Sequence, residues 1–161
     1  MNIAFFIRPK SMTVYLYAHC SLPNGLRRLQ QSGRSALPVL SADGKYLGAV
    51  GEGDFLLRLA DEGMDGAAWQ QGRVGDLLSA HSLRAVPATA AVEELLPEAA
   101  KHTFVPVIDD VGSFIGIARR SDLIRHFARR AGQGEDAVDS QNHRFGGKRR
   151  GNSHYFEDIS K

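Results

Sequence analysis

The sequence predicts an α+β fold built from two pseudo-symmetric β-α-β-β-α units packed sheet to sheet, followed by a flexible C-terminal tail. Three observations predict it. One composite pattern occurs twice at a fixed spacing. Within each copy, short strand-like runs alternate with apolar residues at helical spacing. Each copy is also too short to bury an adequate core alone, so the two must share one.

The repeat is visible in the residues themselves. Leu37-Pro38-Val39 has its counterpart in Val105-Pro106-Val107. Each run leads into an acidic and glycine turn, Asp43-Gly44 in one copy and Asp109-Asp110-Val111-Gly112 in the other. Tyr46-Leu47-Gly48 then matches Phe114-Ile115-Gly116, and Asp54-Phe55-Leu56-Leu57 matches Asp122-Leu123-Ile124-Arg125. The displacements 38→106, 44→112, 48→116 and 54→122 are all 68. Upstream, Leu22/Leu26/Leu29 and Val92/Leu96/Ala99 are displaced by 70, so two residues are inserted or lost between each helix and its Pro-Val strand.

The elements follow in order. Residues 14–17 form a short extended segment, and a helix follows near 22–31. Strands at 36–40 and 46–50 meet at Asp43-Gly44, a strong hairpin signal. A helix then starts at Asp54, with Gly53 as its cap. The second unit repeats the series with an extended segment at 83–86 and a helix near 90–101. Pro97 is expected to kink that helix or delay its start. Strands at 104–108 and 114–118 follow, then a helix from Asp122 capped by Ser121. The expected organisation is a first repeat at 1–60, a connector at 61–73 and a second repeat at 74–130. The tail at 131–161 lacks apolar period and is expected to be disordered.

Composition narrows the function classes. The 161 residues are 43% hydrophobic and 24% charged, with a formal net charge of +2, so no strong field directs the chain to nucleic acid or a membrane surface. Cys20 is the single cysteine, which points to a reducing compartment. No apolar run approaches the ~20 residues of a membrane span. The apolar patch from Ile3 to Ile7 is shorter than the roughly 7–15 residues of a signal sequence. A cytoplasmic, soluble protein is expected.

Catalytic and metal motifs do not assemble. His19 and Cys20 lack partners at ligand spacing. Gly51-Glu52-Gly53 lacks the third glycine of a dinucleotide fingerprint, and Gly147-Lys148 lacks the context of a phosphate loop. No nucleophile-and-base set stands out. The expectation is a non-enzyme without metal or cofactor. The arginine row at 119, 120, 125, 129 and 130 reads as a solvated face in preference to a nucleic-acid contact.

The doubled pattern resembles the tandem CBS-domain pair, or Bateman module. Ser35-Ala36-Leu37-Pro38-Val39, Asp43 to Gly48 and Gly51-Glu52-Gly53-Asp54 carry the resemblance in the first copy. Phe104 to Val107, Val111 to Gly116 and Arg119-Arg120-Ser121-Asp122 carry it in the second. Val74-Gly75-Asp76-Leu77-Leu78 resembles the short helix that opens a CBS repeat. The resemblance covers about residues 5–130. It implies two clefts between the repeats that take an adenine nucleotide as a regulatory ligand: AMP, ADP, ATP or a relative such as cyclic di-AMP. It also implies a homodimer and a protein effector acted on in trans.

Carried over by position, the family's ribose-binding aspartate falls on Asp54 and Asp122. The adenine edge would meet backbone along Ala36, Leu37, Pro38 and Val39, and along Phe104, Val105, Pro106 and Val107. The family often has Ser or Thr three residues before the aspartate; here those positions hold Gly51 and Arg119. Arg119 is suited to meet a phosphate directly, with Arg120 and Arg125 adding charge nearby. The residues leave other readings open. An aspartate at a helix start also stabilises the helix dipole, and the prolines suit strand starts or sheet edges. Tyr17 fits adenine stacking or simple strand packing. A module that only dimerises or binds proteins, without a ligand, is the alternative function.

Overall fold

The computed structural model describes residues 1–79 and 82–142. The chain divides into two units, Met1–Arg125 and His126–Lys161. In the first unit the elements form two series. β2 (Leu16–Tyr17), α1 (Leu22–Ser32), β3 (Ala36–Leu40), β4 (Tyr46–Gly51) and α2 (Glu52–Glu62) make the first. β5 (Val86–Pro87), α4 (Val92–Lys101), β6 (Phe104–Ile108), β7 (Phe114–Arg119) and the start of α5 (Arg120–Asn142) make the second. A leading strand β1 (Ile7–Pro9) precedes both, and α3 (Ala67–Gln71) lies in the connector. α5 continues through 131–142, and the tail residues 143–161 lie outside the described residues. No helix among the described residues is long and apolar enough to cross a membrane.

The repeat holds at the level of register. The sheets are ordered β2-β3-β4 and β1-β7-β6-β5. β3 pairs antiparallel with β4 from Ala36↔Gly51, and β6 with β7 from Phe104↔Arg119. Both ladders shift at equivalent points, Val39/Leu40 and Val107/Ile108. Period-two alternation divides each strand between two environments. Leu37 and Val39 join Leu22, Leu29 and Phe55 in the first repeat's core, while Ala36 and Leu40 face the seam. Val105 and Val107 likewise join Val92, Leu95 and Leu123. Phe104, Phe114, Ile117, Leu40 and Leu83 form a third core between the sheets, with Tyr15, Tyr17 and Tyr46 packed on it.

The two hairpin turns also bond to each other. The Tyr46 amide donates to the Gly112 carbonyl at 3.2 Å, and the Phe114 amide to the Gly44 carbonyl at 3.0 Å. Since 46→114 and 44→112 are both 68, these bonds are equivalents about a pseudo-two-fold axis. Gly44 and Gly112 sit at φ +89° and +85°, which only glycine adopts cheaply.

The opening segments are exchanged between repeats. The 3-10 helix Ile3–Phe6 inserts Ile3 and Phe6 into the second repeat's core. β1 then pairs with β7, and Asn2 bridges Ala91 at the cap of α4. The 3-10 helix Val74–Leu77 instead inserts Val74 into the first repeat's core, and Arg73 bridges Ser21 at the cap of α1. The segment expected from its motif to open the second repeat therefore packs on the first. Ser82 Oγ continues the crossing by accepting from the Ala49 amide at 2.8 Å.

Three local expectations shift. α2 begins at Glu52, not Asp54, with Gly51 as its cap. β4 runs straight into α2, so Asp54 falls at the third helical position, where Oδ2 accepts from the Gly51 amide at 2.7 Å. α5 begins at Arg120 for the same reason, which places Ser121 inside the helix. α4 begins at Val92, two residues later than the apolar pattern sets, and carries Pro97 on an exposed position.

Candidate functional site

Two cavities open at the seam between the sheets, with volumes of about 260 and 340 Å³. Ser35 and Ala36, where β3 starts, and Thr103 and Phe104, where β6 starts, line both. Three arginines converge on the first cavity, the arginine cleft. Arg8 comes from β1, Arg34 from the loop after α1, and Arg119 from the end of β7. Thr13, Pro38 and Ile117 complete its wall. The second cavity, the aspartate cleft, holds Asp54 and Gly51 with Ala49 on one side and Lys101 and His102 on the other. Ser79, Ser82 and Leu83 close it from the crossing segment.

The cavities are copies of one site. Lining residues exchange under the repeat: 34→102, 36→104, 49→117 and 51→119, each 68. Their chemistry diverges at a few equivalent positions. Arg34 is replaced by His102, Arg119 by Gly51, and Gly33 by Lys101.

The matched aspartates take different partners because the residue three positions earlier differs. Arg119 grips Asp122 with two charge-assisted bonds of 2.9 Å, from Nε to Oδ2 and from Nη2 to Oδ1. Arg8 Nε adds a bond to Oδ2 at 3.5 Å, and Arg125 Nη1 one to Oδ1 at 3.4 Å. The Arg119 bond holds the Asp122 carboxyl below the ordinary 3.8, against a smaller opposing effect of burial. Gly51 offers only its backbone to Asp54, which leaves Oδ1 of Asp54 without a donor among the described residues and places the carboxylate on the cavity wall.

The structure thus brings Arg119, Ala36 and Pro38 together in one cleft, and Asp54, Gly51 and Ala36 in the other. Asp122 stands behind Arg119 and lines neither. Leu37, Val39 and Val105 point into the repeat cores. Pro106 is buried and Arg120 half-buried, and neither lines a cleft. Tyr17 packs in the inter-sheet core, stacked on His19 at 5.3 Å and edge-on to Tyr15 at 5.6 Å. Arg8, Arg34, Lys101, His102 and Thr103 were not singled out from sequence, and Ser35 entered only as the first residue of the strand motif. The break from a displacement of 70 to one of 68 marks the segment that carries Arg34.

The family model for the CBS domain matches residues 10–61 and 74–129. No curated protein matches the sequence. Among solved structures, CbpB in complex with c-di-AMP superposes with a TM-score of 0.75 at 16% identity, covering 85% of this chain and 91% of that one. The Listeria monocytogenes CbpB protein in complex with c-di-AMP gives 0.70 at 19% identity, covering 81% and 98%. CBSX2 in complex with AMP gives 0.63 at 23% identity, covering 81% and 98%. At these identities the likeness establishes the fold.

Proposed function

Because this chain belongs to the CBS-domain family, we propose that it is a regulatory module that binds an adenine nucleotide between its repeats and signals to a protein partner in trans. The observation that carries this reading is the pair of clefts at the seam. Each sets an apolar wall, built on Ala36 and Phe104, against polar and charged groups at its mouth. That combination suits a flat base with a sugar and phosphate attached. In the aspartate cleft, Oδ1 of Asp54 accepts from ribose hydroxyls while Oδ2 keeps its bond to the helix start. Proteins of the same fold have been solved with AMP and with c-di-AMP bound.

A ligand in either cleft touches elements of both repeats, so its binding biases how the sheets meet at the seam. A partner that reads this bias must in turn change nucleotide affinity. Calorimetric titration of the folded protein with AMP, ATP and cyclic di-AMP tests the reading. Heat from at least one of them is expected, and silence from every adenine ligand overturns it.

A second reading, a module that acts by dimerising, draws on the exposed apolar residues of the helices. Leu56 and Leu57 on α2 are 64% and 69% exposed, and Ile124 on α5, the equivalent of Leu56, is 61% exposed. A homodimer would cover them. Leu57→Glu then yields a monomer in analytical ultracentrifugation; an unchanged mass removes that interface.

A further inference from the structure

We propose that the two clefts are not equivalent, and that the arginine cleft selects ligands carrying two or more linked phosphates. The inference rests on the nucleotide reading for the identity of the base, but its argument concerns charge. Arg8, Arg34 and Arg119 put three positive charges on the wall of this cleft, and no carboxylate lines it. In the aspartate cleft, Lys101 supplies one positive and Asp54 one negative charge, so 1 − 1 leaves zero among the lysine, arginine and carboxylate side chains of its lining. The repeat relates the two sites, and the charge difference arises largely at equivalent positions, Arg34/His102, Arg119/Gly51 and Gly33/Lys101.

One phosphate can be satisfied by one or two guanidinium groups. Three groups on three separate elements exceed that need. Arg34 in particular has no ion pair among the described residues, and it reaches the cleft from a loop. Arg119 and Arg8 are already oriented by the shared Asp122 carboxylate, so they present their remaining N–H groups at fixed positions. For that reason Asp122 acts here as an orienting group for arginine and not as a ribose acceptor. A diphosphate or longer chain can reach Arg34 at one end of this array while the base lies against Phe104 and Ile117. A monophosphate engages only part of it.

The test is calorimetric titration of the full chain with AMP, ADP, ATP and inorganic pyrophosphate, on the parent protein, Arg34→Gln and Arg27→Gln. Arg27 is exposed on α1 and lines neither cleft, so its variant controls for loss of one charge. ADP and ATP are expected to bind at least about tenfold more tightly than AMP, since each charge-assisted contact is worth about that much. Arg34→Gln should erase most of that gap, and Arg27→Gln should keep it. Equal affinity for AMP, ADP and ATP overturns the inference while leaving the nucleotide reading intact, as does a gap that survives Arg34→Gln. Pyrophosphate binding that depends on Arg34, without binding of any nucleotide, supports the phosphate array and removes the adenine reading. Silence from all four probes on folded protein overturns both.

Discussion

Replacing Gly116 by alanine tests the exchange of opening segments at its tightest point. A Cβ there would lie 2.0 Å from the Arg8 carbonyl oxygen, 2.9 Å from its carbon and 3.0 Å from Ile7 Cγ2. Carbon and oxygen settle no closer than about 3.3 Å, so β1 must retreat by roughly 1 Å or more. The obstacle is backbone, and no rotamer change relieves it. If β1 holds its register under strain, overpacking costs about 1–3 kcal/mol. If β1 detaches, Ile3 and Phe6 leave the second core, at about 1.5–3 kcal/mol each. The cheaper route sets the cost, so the expected loss is about 1–3 kcal/mol.

Urea denaturation reads the loss, and hydrogen exchange at residues 7 and 8 reports whether the strand has left. Gly53→Ala is the matched control. A Cβ at Gly53 meets nothing within 4 Å, and the residue lies in the first turn of α2. That change should stabilise by about 0.5–1 kcal/mol. An unchanged midpoint for Gly116→Ala, with unchanged protection of β1, would refute the claim that the crossing strand seats on this glycine.

Two further outcomes follow from the cores. The Tyr46 hydroxyl donates to the Leu83 carbonyl at the seam, so Tyr46→Phe should cost about 1–3 kcal/mol in urea denaturation by orphaning that acceptor. Burial also pushes the Tyr46 pKa above its ordinary 10.0, so stability tied to this group is complete below pH 10 and falls as pH rises beyond it. The Phe variant should lose that part of the alkaline decline, and an identical decline in both proteins would exclude it. Trp69, the sole tryptophan, is 2% exposed and packed with the first repeat's core. Trp69→Ala should cost about 3–5 kcal/mol by circular dichroism in urea, and a change below about 1 kcal/mol would show α3 to be a loose connector.

The architecture was legible because the repeat is exact in register through the strands. A displacement of 68 aligns Pro38 with Pro106 and Gly48 with Gly116, and the same displacement relates the two β-ladders and the bonds between the hairpin turns. The exchange of opening segments was not legible in the same way. Val74 to Leu78 precede the second repeat in sequence, and no local pattern says which core they enter. The one hint lay in the equivalent glycines. A Cβ at Gly48 would lie 2.4 Å from Ser82 Oγ, as one at Gly116 would meet Arg8, so both positions are small because a segment crosses there.

The clefts follow the same division between what repeats and what does not. Asp54 and Asp122 occupy equivalent positions of the repeat, yet one reaches a cavity wall and the other is gripped by arginine. The residue three positions earlier decides this, since a glycine can offer only its amide where an arginine offers a fork. Of the other decisive groups, one comes from ahead of the repeat and one from its least regular stretch. Arg8 arrives on a strand that precedes the first repeat, and Arg34 sits in the stretch where the displacement changes from 70 to 68. Helix α1 closes on Gly33 at φ +66° before Arg34 and Ser35, whereas α4 closes directly on His102. Arg34 and His102 remain equivalents across this difference, so one cleft receives a guanidinium where its copy receives an imidazole. In a duplicated fold the repeated backbone builds both cavities, and substitutions at equivalent positions such as Arg119/Gly51 and Arg34/His102 give each cavity its own charge.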